Sequence, residues 1–148
     1  MNAGGYHSTN RLGVFPQLEK FITNHAKTYA SQLGLKSNLR MNEIWININD
    51  YKDHNKAHTH PGSCLSGVYY VHTPKNCGDI SFLREGYKLQ EVYWSKYIET
   101  YRKENWAEFT IPVRSGLLVL FPSFMEHRVE SNMNEKEPRM SVAFNLSK

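Results

Sequence analysis

Ala57-His58-Thr59-His60-Pro61-Gly62-Ser63-Cys64-Leu65-Ser66-Gly67-Val68-Tyr69-Tyr70-Val71 is the stretch on which the reading of this chain turns. Side chains alternate between the two faces of a strand, so His58 and His60 on a strand would share a face. Their imidazoles could then converge on a metal. Pro61-Gly62 breaks that strand, and Leu65 to Val71 reads as a buried one. An H-x-H pair alone is a weak signal. It gains weight from two segments downstream, Gly116 to His127 and Arg139-Met140-Ser141.

Upstream, Met41 to Asn49 alternates strictly. Ile44, Ile46 and Ile48 predict a core face, while Trp45, Asn47 and Asn49 share the other. Two amides and an indole suit the wall of a polar cavity, or else a half-exposed strand. Further back, Pro16 reads as a first-turn proline. Leu18, Phe21, Ile22, His25, Tyr29 and Leu33 recur at helical spacing, and Gly34 is a terminator. The pattern predicts an amphipathic helix over 16–33 packed on a sheet, with His25 at its boundary rather than as a ligand. Residues 1–13 read as a loose arm or extended lead-in, Lys36-Ser37-Asn38 as a linker and Asp50 to Asn55 as a polar turn.

Downstream, Pro74 to Gly78 reads as a hairpin-type loop before a short strand, Asp79 to Leu83. Further strands are predicted at Phe109 to Val113, Gly116 to Pro122 and Arg139 to Asn145. Short strands separated by turn signals predict a mainly β sandwich or barrel with flanking helices. Residues 84–108 interrupt the pattern. There Trp94, Tyr97, Ile98 and Tyr101 fit a helical face. Arg84, Lys88, Lys96, Arg102 and Lys103 are matched by Glu85, Glu91, Glu99, Glu104 and Glu108. So neutral a segment is a poor phosphate footprint despite its aromatics, which argues against a nucleic-acid partner. It reads as an insertion that flanks a pocket, or as a helix packed on the sheet edge.

The length of 148 residues suits one domain, 1–148, with a core that needs no disulfide. Cys64 and Cys77 form no C-x-x-C pair, so they are expected reduced and the compartment cytoplasmic. No apolar run approaches membrane-spanning length, and no membrane partner is expected. A net charge of +4 tolerates an anionic ligand without demanding one.

The distant segments carry the chemistry. A redox Fe(II) centre that binds a co-substrate and O2 together needs three protein ligands on one face, leaving three positions open. His58 and His60 supply a close pair and His127 the distant third. A 2-oxoglutarate co-substrate chelates iron through its keto-acid end, and its far carboxylate needs a fork-shaped cation. Arg139 suits that role, with Ser141 on the same strand face. Imidazoles of ordinary pKa would surrender the metal as pH falls through roughly 6.5.

The chain resembles the Fe(II)/2-oxoglutarate-dependent oxygenases, in particular a compact branch found in phages and bacteria, and the catalytic core of prolyl hydroxylases. The resemblance runs from about Trp45 to Asn145. It is carried by "H-T-H-P-G-S-x-L-S-G-V-Y-Y-V", "G-D-I-S-F", "G-L-L-V-L-F-P-S-x-x-x-H-R-V" and "R-M-S-V-A-F-N". It implies a double-stranded β-helix, a jelly-roll or cupin-like barrel, and gives Tyr70 a part in holding the co-substrate. One departure stands out: the family's first motif is H-x-D or H-x-E, and here His60 occupies the carboxylate's place. Three arrangements stay open: all three histidines bind iron, His60 stays off the metal, or Asp79 supplies a carboxylate from the next strand.

The expected function is hydroxylation of an unactivated C–H bond, a prolyl residue being one candidate. It would be coupled to conversion of 2-oxoglutarate and O2 into succinate and CO2. Trp45, Asn47, Asn49 and Trp94 would line the side that receives a small-molecule or peptide substrate, in the cytoplasm of a host cell if the chain is phage-encoded. The alternatives are a three-histidine zinc hydrolase or lyase and a non-catalytic metal-binding β-barrel module.

Overall fold

The strands divide by the character of their faces, and that division sets the layers. The computed structural model describes residues 2–36 and 38–148. Ser37, in the expected linker, and Met1 lie outside the described residues. In chain order come β1 (Asn2–Ala3), β2 (Tyr6–His7), α1 (Pro16–Gln32), β3 (Arg40–Asn49), β4 (His54–His58), β5 (Leu65–His72) and β6 (Ile80–Leu83). Then follow α2 (Tyr87–Trp94), a 3-10 turn at Ser95–Tyr97, β7 (Glu108–Ile111), β8 (Leu118–Pro122), β9 (His127–Val129) and β10 (Arg139–Ser147). One sheet runs β2-β3-β10-β5-β8 and the other β1-β4-β9-β6-β7.

From β3 to β6, and again from β7 to β10, the chain changes sheet at every connection. This alternation winds two antiparallel sheets into a double-stranded β-helix. It also corrects one expectation: Pro74 to Gly78 is a crossing between sheets, because β5 pairs with β8 and β10 while β6 pairs with β7 and β9.

The β2–β8 sheet is buried on both sides. Its outer face presents Ile44, Leu65, Val142, Phe144 and Leu146 to Ile22, Ala26 and Ala30 of α1. Two alanines in the contact stripe let the helix lie close to the strands. The stripe is therefore rotated from the predicted one, leaving Phe21 and Leu33 on the flank, 42% and 44% exposed. The helix ends where predicted: Gly34 has φ +69, and the Gly34 and Leu35 N–H groups donate to the Ser31 and Ala30 carbonyls. The inner face meets the second sheet through Val68, Tyr70, Val119 and Phe121 against Ile80 and Phe82. Gly67 is required where it stands, since a Cβ there would run into the Phe144 ring and the Val119 carbonyl.

The N-terminal segment is extended rather than loose. Asn2–Ala3 pairs with β4 and Tyr6–His7 with β3. Gly4 and Gly5, at φ +91 and +74, make the bend between the two sheets. The expected turn over Asp50 to Asn55 is shorter, because β4 already begins at His54. In the insertion the helix stops at Trp94 and the backbone is extended at Ile98, so the helical face expected through Tyr101 does not form.

Candidate active site

His58 closes β4 and lies directly across from His127, which opens β9. β4 continues past a ladder irregularity between Asn55 and His58 and ends at His58, so His60 stands beyond it rather than on it. His60 reaches the same place by a different tether, its N–H donating to the Ser123 carbonyl at 2.9 Å. Ser123 is itself held from below, its hydroxyl 2.8 Å from that of buried Ser66, which donates to Asn145 Oδ1 at 2.7 Å. The three rings gather at centroid separations of 5.0, 4.4 and 5.1 Å. One nitrogen of each lies within 4.8 Å of the others. Among the described residues no carboxylate joins this group. Asp79 is occupied elsewhere, accepting the Val113 N–H at 2.9 Å.

Two of the imidazoles have their tautomer set. His58 Nδ1–H donates to the Lys56 carbonyl at 2.6 Å and His127 Nδ1–H to the Met125 carbonyl at 2.9 Å. Each Nε2 lone pair is thereby left for a ligand. Burial, reinforced by the neighbouring His58 ring and opposed by Glu43, lowers the His60 pKa to about 4. Burial is again the main cause for His127, lowered to about 3 against the opposing effect of its Met125 carbonyl bond, with His58 and His60 adding to the lowering. His58 is lowered too, chiefly by burial. Three neutral imidazoles at neutral pH are three ready metal donors.

Beside them stands an unusual pair. Arg139 and Ser141 project from β10 on the inner face, with Ser141 in register with Tyr70 of β5 and with Asn47 of β3. Arg139 is 1% exposed. Its Nη1 donates to the Cys77 carbonyl and to the Glu130 carbonyl, the latter at 2.9 Å. Its Nη2 and the Tyr70 hydroxyl are buried with no hydrogen-bond partner among the described residues. Burial raises the Tyr70 phenol pKa, so the group is a neutral hydroxyl able to donate. A buried donor left unmet costs about 1–3 kcal/mol, more for a charge. Both residues line a cavity of about 80 Å³ together with the three histidines and Ser141.

Trp45 and Asn47 line the same cavity, with the indole 5.9 Å from the His60 ring. Asn49 is buried opposite Arg139 on the β3 ladder but does not line it. Trp94 lies elsewhere, 52% exposed on surface depressions formed by the insertion. Sequence reasoning missed His7 and Asn55, both at the cavity. His7 donates through Nδ1 to Asn47 Oδ1 at 2.9 Å and faces the Trp45 indole at 5.7 Å. Its signal was masked by reading the N-terminal segment as an arm rather than as an edge strand.

The fold is similar to several solved structures. The non-heme alpha ketoglutarate dependent epimerase SnoN from nogalamycin biosynthesis superposes with a TM-score of 0.69 at 18% identity, covering 96% of this chain and 60% of that one. An oxidoreductase of the 2OG-Fe(II) oxygenase family from Burkholderia pseudomallei gives 0.61 at 12% identity over 80% and 50%. A Pseudomonas putida prolyl-4-hydroxylase gives 0.63 at 15% identity over 98% and 72%. The chain thus spans half the length of the Burkholderia protein and three-fifths of SnoN. At such identities the likeness is one of fold. No curated protein matches the sequence. Residues 43–145 match the family model described as "Putative 2OG-Fe(II) oxygenase", and a match over more than two-thirds of the chain makes this protein a member of the 2OG-Fe(II) oxygenase family.

Proposed function

We propose that the protein is a non-haem Fe(II)/2-oxoglutarate-dependent dioxygenase that hydroxylates an unactivated C–H bond. In this reading His58, His60 and His127 hold the metal, and Arg139, Tyr70 and Ser141 hold 2-oxoglutarate. The observation that carries it is the buried, unpartnered pair Arg139 Nη2 and Tyr70 Oη in the cavity of the three histidines. A cation and a neutral hydroxyl, both short of an acceptor, suit a carboxylate. A dianionic co-substrate also suits three neutral imidazoles, which bring no charge to offset that of Fe(II).

When bound, iron and 2-oxoglutarate supply the O2-dependent oxidation, with succinate and CO2 as co-products. The chain's own work is positioning. The Lys56 and Met125 carbonyls orient two of the imidazoles, and the Ser123 carbonyl anchors the backbone of His60. Two carbonyls grip Nη1 of Arg139 and so direct Nη2. Trp45, Asn47 and His7 stand where a small-molecule or peptide substrate would enter. A prolyl peptide is the first class to test, on the likeness to the Pseudomonas prolyl-4-hydroxylase. A cytoplasmic location goes with this reading, since its two cysteines are free.

The all-histidine donor set also favours a second reading, a zinc hydrolase or lyase in which His58, His60 and His127 would hold the zinc and the metal would supply Lewis-acid activation of water. That reading leaves Arg139 Nη2 and Tyr70 Oη without a role. Anaerobic addition of 2-oxoglutarate to the Fe(II)-loaded protein separates the two. A visible charge-transfer band, followed by succinate release on admitting O2, is expected. Zinc retention with neither signal would overturn the proposal.

A further inference from the structure

Helix α2 contains no buried residue. Leu89, Val92, Tyr93 and Trp94 are 64, 72, 67 and 52% exposed, and Tyr97 and Tyr101 just beyond it 73 and 68%. At about 150–250 Å² for an aromatic side chain, these six leave roughly 700 Å² of mostly apolar surface in water. Leu89, Tyr93 and Trp94 share one surface depression and Trp94 and Tyr97 the next, so these four adjoin; each side of a stable interface buries about 800 Å².

Propensity does not explain the helix either. It has eight residues, and isolated helices shorter than about 12–15 residues are marginal in water. The insertion is held to itself by polar bonds near its base, and to the body by Glu108, which pairs with Arg128 of β9 at 2.6 Å. Arg84 donates to the Glu104 and Lys103 carbonyls at 2.8 and 2.7 Å, and Gln90 donates to the Asn105 carbonyl. Next to that base an open groove of about 440 Å³ runs between the edge strands β7 and β8, lined among others by Leu83, Trp106, Phe109, Ile111 and Met125.

Charge indicates what covers this face. The chain carries +4, yet residues 84–108 hold five basic and five acidic side chains, so the whole excess lies elsewhere. An acidic partner would be drawn to the rest of the surface. A second copy, itself +4, meets least repulsion at the neutral segment. There Lys88, Lys96 and Arg102 interleave with Glu91, Glu99 and Glu104, offering each sign an opposite across a two-fold axis.

We propose that the 84–108 insertion is a self-association face. Through it two copies of the chain dimerise, covering each other's α2 aromatics and the groove between β7 and β8. Phe121 lines both that groove and the histidine cavity, so the interface backs onto the site without supplying residues to it.

Sedimentation velocity of the full chain between 1 and 100 µM tests this. Twice the chain mass is expected at the upper end. Val92→Glu combined with Tyr97→Glu places like charges across the axis and should weaken the dimer on the order of 100-fold, while Tyr97→Phe should leave it intact. Hydrogen exchange on the unaltered protein gives a readout free of folding defects: amide protection over 87–97 should rise with concentration. A monomer at 100 µM with concentration-independent exchange overturns the proposal, as does a dimer unaffected by the two glutamates. Binding of Fe(II) and 2-oxoglutarate is read separately and is expected to be the same in all variants.

Discussion

Around the histidine cavity, polar side chains are buried: Arg139, Ser141, Asn47 and His127 are 1 to 6% exposed. In the 84–108 insertion, apolar side chains are exposed: Tyr93, Tyr97 and Tyr101 stand 67 to 73% in solvent. Both regions depart from the usual inside–outside division, in opposite directions and at different cost. A buried unmet donor burdens the fold directly, a cost that a bound acceptor would offset. An exposed aromatic costs the monomer little and gains only when something covers it. The cavity is built on paired strands, whereas the insertion is braced by a few side chain-to-carbonyl bonds that run within the insertion itself. In the proposed reading the first would hold a small anion and a metal on a rigid frame, and the second would be covered by a second copy.

The largest expected effect comes from removing an imidazole. His127→Ala takes away a donor whose orientation is already set, and Fe(II) affinity should fall by at least about 100-fold in an anaerobic titration. His60→Ala should behave alike, and His60→Asp should restore binding, since a carboxylate there gives the ordinary facial triad. Normal iron affinity in His60→Ala would take His60 off the metal.

Next comes the unmet pair. Arg139→Ala should cost about 2–4 kcal/mol of 2-oxoglutarate binding, roughly 30- to 1000-fold, with Fe(II) binding retained. Tyr70→Phe sharpens the contrast between regions. It should weaken 2-oxoglutarate by about 0.5–1.5 kcal/mol while leaving the melting temperature of the metal-free protein unchanged or higher, because the hydroxyl it removes is unsatisfied. A clear drop in that temperature would mean that the hydroxyl is structural.

The pH dependence is smaller in effect and set by burial. The sequence alone predicts metal loss through pH 6.5. With His60 lowered to about 4 and His127 to about 3, affinity should instead hold to about pH 5. The sign for folding follows from the same shifts. Folded-state values below the unfolded 6.5 mean that the unfolded chain binds more protons as pH falls. Stability of the metal-free protein is thus full above 6.5 and drains away between 6.5 and the 3–4 region. Urea unfolding at pH 7.5 and 5.0 measures it. The smallest effect is expected in the insertion: Trp94→Ala should change Fe(II) and 2-oxoglutarate affinities by less than twofold, since its indole lines other depressions.

Much of this was legible in the chain because alternation is local. Ile44 and Ile46 against Trp45 and Asn47 divided β3 correctly, since a strand's period of two follows from its backbone geometry. Pro16 and Gly34 bounded α1 for equally local reasons. Less legible was anything needing a distant partner. His60 looked like a strand residue because its tether to Ser123 lies 63 positions away in sequence. His7 was hidden because its segment becomes a strand only by pairing with β3. The helical face through Tyr101 failed because the backbone turns extended at Ile98, a change that side-chain spacing does not report.

By itself, then, the sequence determined which residue types were available (three histidines, an arginine two residues before a serine, a tyrosine in an apolar strand) and, on β3 and β10, which strand face each would occupy. Those follow from backbone periodicity and side-chain chemistry. Only the tertiary structure decided that they meet. His58 faces His127 across one sheet and Tyr70 faces Ser141 across the other, and closing the two sheets brings both pairs to one cavity. Burial in that cavity, which no local pattern encodes, keeps the imidazoles neutral and leaves Arg139 Nη2 and Tyr70 Oη waiting for an acceptor.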